Sequence, residues 1–152
     1  MTLAPWIFLS RQSSPKKLLH LATVSGAQDF VYYHELGHLL MGHLAIGQSQ
    51  RVEFEADQFA RLVVGNTHTD NEGAYGWRVV GAAIPLVLLA VLAAKAGNSS
   101  GSPTHPASRE RVLAFARSFK EPNASLILAY ARGIAAACNP ALERWWNCRV
   151  TL

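Results

Sequence analysis

The sequence is short of charge: only 16% of its 152 residues are charged against 50% hydrophobic, which excludes long disorder outside a few short segments. It is also short of cysteine. Cys138 and Cys148 are the two present, and without a CxxC pair a zinc ribbon and a thioredoxin-type site are excluded. They either bridge in an oxidising compartment or remain buried free thiols, the simpler reading. Lys and Arg outnumber Asp and Glu, 14 to 10, but they are scattered. Lys16–Lys17 is the longest basic run, with no aromatic-interleaved stripe beside it, so no nucleic-acid partner is expected. No basic residue precedes the short apolar run Leu3 to Leu9, so no signal peptide is expected, and the expected location is cytoplasmic or membrane-associated.

No uncharged run reaches the roughly 20 residues that a bilayer span ordinarily takes. The longest is "VVGAAIPLVLLAVLAA", residues 79–94, sixteen residues with Pro85 inside. Proline is costly in a soluble helix and tolerated in a membrane. A buried core helix and membrane association through 79–94 therefore both stand as readings of this segment.

There is no internal repeat and no convincing set of alternating strands. The pattern predicts a mainly α fold with at most a small N-terminal β element, in one domain over residues 1–152. Residues 1–28 read as irregular, with Leu3–Leu9 and Leu18–Val24 as short strands or helical turns. A helix is expected from Asp29, taken as an N-cap, through "FVYYHELGHLLMGHLAI" to Gly47. Further helices are expected over about 50–64, over 77–95 with a break near Pro85, over "SRERVLAFARSF", over "ASLILAYARGIAAAC", and over "ALERWWNC". The Gly, Asn, Thr and Asp content of 65–76 reads as loop, and "AGNSSGSPTHPAS" (96–108) reads as a flexible one.

What the sequence does have is "HELGHLLMGH" at 34–43, three histidines and a glutamate in ten positions. His34 and His38 stand at i and i+4, about 40° apart on one helix face, so both imidazoles can reach one cation at about 2.0–2.1 Å. Glu35 is turned away from that pair and can approach a metal-bound water without binding the metal. His43 lies five residues after His38, hence about 140° around the helix, and is read as no ligand. The metzincin extension would need Gly at 41 and His at 44, where Met41 and Leu44 stand. In "RVEFEADQFARLVV", Glu53 and Asp57 share a helix face with Ala56 and Ala60 beside them, small enough to allow close packing. A carboxylate there can complete a His, His, Glu set, and Asp57 can accept the free N–H of a ligand histidine. Glu55 is the rival ligand, but it points about 160° from Asp57.

"FVYYHELGHLLMGH" followed by "EFEADQFA" resembles the gluzincin metallopeptidases, which carry HExxH and a downstream ExxxD. The second piece resembles the ExxAD-x-FA segment of two groups: the HtpX-like and CAAX-prenyl-type membrane peptidases, and the ImmA/IrrE-like peptidases that cleave repressors. The short gap from His38 to Glu53 suits the latter. "THPASRER" at 104–111 suits the former, which carry a Thr/Ser-His-Pro segment with an arginine six residues after the histidine. The resemblance implies a zincin-like helical core in which His34, His38 and Glu53 bind Zn2+ and Glu35 is the base. It implies a protein or peptide substrate, with His105 steadying the oxyanion. His105 equally reads as a solvated loop histidine, and Arg111 either pairs with Asp57 or is solvated. The small β-sheet that gluzincins place before the HExxH helix is not legible here. That absence leaves room for a non-catalytic metal-stabilised regulatory or interaction module; a membrane-associated protease component, through 79–94, is a further reading. The oligomeric state is not legible.

Overall fold

The computed structural model describes residues 14–46, 49–66, 72–98, 100–102 and 106–138, and among them all regular structure is helical. In chain order the helices are α1 (Pro15–Leu40), α2 (His43–Ile46), α3 (Gln50–Asn66), α4 (Glu72–Lys95), α5 (Ser108–Arg117) and α6 (Asn123–Cys138).

α1 begins fourteen residues before the expected start at Asp29. Ser14 is the N-cap, its Oγ accepting from the Lys17 amide at 3.4 Å, and Pro15 sits in the first turn where it loses no helical hydrogen bond. Leu18–Val24 is thus helix, not strand, and Leu3–Leu9 lies outside the described residues. Asp29, mid-helix, pairs with Arg78 of α4 and accepts from Ser25 Oγ. Its carboxylate looked like a cap and is an interhelical tie.

α1 also ends earlier than expected. The Met41 amide donates to Gly37 O and the Gly42 amide to Leu39 O, and Gly42 takes φ +70°, a conformation that suits glycine. His43 therefore opens a separate short helix instead of continuing α1.

α4 runs unbroken through Pro85, where a break is expected from the sequence, and takes in Glu72–Gly76, expected as loop. It forms the centre of the bundle: Val79, Val80, Ala82, Leu86, Val87 and Ala90 are almost fully buried. By length and composition it could cross a membrane, yet half of its most apolar stretch is buried inside the protein. α1 crosses it at close range. A Cβ on Gly26 would come 2.0 Å from Arg78 O, and one on Gly81 would come 2.0 Å from Thr23 O, so both positions exclude any side chain. α5 and α6 pack on the same helix, contributing Val112, Phe115, Ile127 and Ala131 to the core. Cys138, expected to be buried, is exposed at the end of α6; Cys148 and "ALERWWNC" lie outside the described residues.

α3 is built on one ridge. Val52, Ala56, Ala60 and Val64 recur at i+4 and are essentially inaccessible, the spacing that packs helix on helix. Burying each valine contributes about 1.5–3 kcal/mol. Glu53 and Asp57 stand one residue after Val52 and Ala56, on the adjoining ridge. Core packing therefore carries two acidic side chains into the seam with α1.

Candidate metal centre

The seam closes where the residues are smallest. A Cβ on Gly37 would meet Phe59 Cδ1 at 3.2 Å and Ala56 Cα at 3.4 Å, so the glycine of the HELGH turn rests against the alanine of the EFEAD turn. His34 lies level with Asp57 and His38 with Glu53, the register of two antiparallel helices.

That register converges three donors. His34 Nε2 and His38 Nε2 are 3.1 Å apart, with Glu53 Oε2 3.7 Å from the first and Oε1 3.8 Å from the second. One ligand atom from each of the three residues lies within 4.8 Å of the others, so the group can hold a metal ion. Three ligands at about 2.0–2.1 Å in tetrahedral geometry stand about 3.4 Å from one another. The observed separations bracket that spacing, and the donor set, two imidazoles and a carboxylate, is one that zinc takes in open sites.

Glu53 is 7% exposed and Asp57 6%, burial that a carboxylate tolerates only with partners. Arg111 of α5, itself 7% exposed, supplies them. Its Nε and one Nη donate to the two oxygens of Asp57, each at 2.7 Å, and its other Nη lies 3.1 Å from Glu53 Oε2. Burial lowers the pKa of Arg111, but the Asp57 hydrogen bonds and the charges of Asp57 and Glu53 outweigh it, and the net shift is upward. His34 Nδ1 is 3.0 Å from Asp57 Oδ1, a close contact off the line of a good hydrogen bond, so that buried nitrogen is left without an aligned partner. The His34 ring stacks on Phe30, centroids 6.1 Å apart.

The convergent donors face a cleft of about 550 Å³ lined also by Glu35, Val31, Leu44 and Leu89. Glu35 is exposed there, on the wall of the same cleft as the histidines. A smaller cleft of about 260 Å³ lies on the far side of Asp57 and Arg111, lined by Phe54, Arg61 and Phe115, and holds no such donor set. His105 lies outside the described residues.

His38 is held below the ordinary histidine pKa, by burial first and His34 next, against the pull of Glu53. His43 is not among the three converging residues, but it is not idle. Its Nδ1 lies 3.0 Å from His38 Nδ1 and its Nε2 3.0 Å from Glu55 Oε2. Sequence reasoning set both residues aside as ligands and missed this contact. The available signal was Gly42, which permits the helix to stop and the chain to turn back.

The fold and the site together define a class: a helical protein in which an HExxH turn and a neighbouring carboxylate bring together three side chains that could hold a metal ion. The chain belongs to the peptidase U49 family, whose model matches residues 8–131. A peptidase acts on a protein or peptide, so that is its substrate class. No curated protein and no solved structure matches the chain.

Proposed function

We propose that the chain is a zinc-dependent endopeptidase with His34, His38 and Glu53 as metal ligands and Glu35 as general base. The convergence of those three side chains at the floor of an open cleft carries the reading. What zinc supplies when bound there is a Lewis acid and a water whose pKa falls to about 7. Glu35, at the solvent edge of the cleft, takes the proton of the attacking water and returns it to the leaving amine. Asp57, whose Oδ1 stands 3.0 Å from His34 Nδ1, is placed to orient that ring when a metal is bound, and Arg111 holds Asp57 and Glu53 in position. His105 serves the oxyanion in this proposal, on the strength of the Thr-His-Pro resemblance alone.

Purified chain is expected to hold about one zinc, and Glu35→Gln to keep the metal while losing peptide hydrolysis. Undiminished hydrolysis in that variant removes Glu35 as the base.

A membrane-facing placement is a second reading, favoured by the exposure of Leu88, Leu89 and Leu92 on α4 and of Leu39, Leu40 and Leu44 nearer the histidines. Association with lipid vesicles that resists carbonate and is lost when Leu88 and Leu89 are both changed to Glu is its expected signature. A wild-type chain that stays with the soluble fraction contradicts it.

A further inference from the structure

His43 is 4% exposed, on a short helix outside the HExxH turn, with both ring nitrogens engaged by side chains. Its position follows from the break in α1. Had the helix continued, His43 would lie about 140° from His38. The turn at Met41 and Gly42 instead brings it back behind the His38 ring, centroids 5.1 Å apart. On the other side, Glu55 reaches it from α3, where it also pairs with Arg51 at 3.3 Å.

The protons in this row admit one arrangement once His38 is a ligand. His38 Nε2 faces His34 and Glu53, so a metal on that nitrogen leaves the ring's proton on Nδ1. That Nδ1 stands 3.0 Å from His43 Nδ1, and two ring nitrogens at such a distance share a single proton. His43 Nδ1 must therefore present its lone pair, which puts the proton of a neutral His43 on Nε2. There it meets Glu55 Oε2 at 3.0 Å, an acceptor. The row Glu55, His43, His38 is satisfied throughout, with no donor facing a donor.

We infer that His43 and Glu55 are positioning residues for the metal, fixing the tautomer and ring plane of His38 through an interposed imidazole. The inference rests on the zinc reading of the site. It makes the two ligand histidines unlike. His34 is backed directly by a carboxylate that Arg111 holds, whereas His38 is backed by a histidine that a half-exposed carboxylate holds. A simply buried histidine satisfied by Glu55 would have no bearing on metal affinity, and that separates the two accounts.

The test is zinc affinity, measured by competition with a chromophoric chelator, together with long-range ¹H–¹⁵N NMR of the zinc-loaded wild-type chain. His43→Leu is expected to weaken zinc binding about 10–100-fold, the usual loss when a partner behind a ligand histidine is removed. His43→Asn, whose Oδ1 occupies the place of Nδ1, is expected to recover most of that loss. Glu55→Ala, at a half-exposed position that leaves packing intact, is expected to weaken binding in the same direction, and NMR to show the His43 proton on Nε2. Zinc bound as tightly by His43→Leu as by wild type overturns the inference. So does an Asn variant no better than Leu, which assigns the loss to packing, or a His43 proton on Nδ1. If His43→Leu does not fold, unchanged affinity in Glu55→Ala overturns it alone. A wild-type chain that binds no zinc overturns the zinc reading and this inference together, a result distinct from all of these.

Discussion

Arg111 grips both oxygens of Asp57 at 2.7 Å across 54 residues of sequence, and it does so with all three groups of the cluster, Glu53 included, almost wholly buried. A two-point contact of this kind matches the planar guanidinium to the carboxylate in a way an ammonium cannot. It also couples the site to stability. The arginine that neutralises the carboxylates pins α5 to α3.

Removing that arginine strands two buried carboxylates. Arg111→Ala is expected to destabilise the fold by about 3–5 kcal/mol, the usual cost of leaving a buried charge without its partner. Urea denaturation followed by far-ultraviolet circular dichroism measures it. Arg111→Lys should recover only part of the loss, since it keeps the charge and forfeits the fork.

The crossing of α1 and α4 depends on two positions without side chains. A Cβ at Gly26 would come 2.0 Å from a backbone oxygen, which cannot swing aside. Gly26→Ala is therefore expected to cost about 1–3 kcal/mol or more through a forced helix shift. Ala at Gly133, where nothing lies within 4 Å of the added carbon, should stabilise or leave stability unchanged. Comparing the two variants' thermal midpoints separates steric exclusion from helix propensity.

The metal-free chain should lose stability in mild acid through His38. Its folded pKa lies below the ordinary 6.5, chiefly through burial, so between the two values the unfolded chain binds more protons than the folded one. Stability then rises with pH across that window: it is fully present above about pH 6.5 and is lost as pH falls toward the folded value. Denaturation midpoints of metal-free protein, wild type against His38→Gln, isolate this contribution. The wild type should show the steeper fall below about pH 6.5. Equal slopes would contradict it.

The triad was legible because its information is local. His34 with His38, and Glu53 with Asp57, are each set by one helical turn, and Ala56 between them signals close approach. The mainly helical fold was legible from composition and periodicity in the same way. What escaped depended on partners distant in sequence or on where a helix stops. Asp29 carries the local mark of an N-cap, and its true role depends on Arg78, 49 residues on. His43 was placed by extending an ideal helix through Met41 and Gly42, where the real one ends. The angle of about 140° therefore does not apply to it. The contact with Glu55 follows only from the turn.

The most direct test is X-ray absorption at the zinc edge of the loaded wild-type chain, paired with Glu53→Ala. The account predicts two imidazole nitrogens, one carboxylate oxygen and one water oxygen around a single zinc, with the carboxylate contribution lost in the variant. Four protein ligands with a third imidazole, or a zinc environment unaltered by removing Glu53, would contradict it.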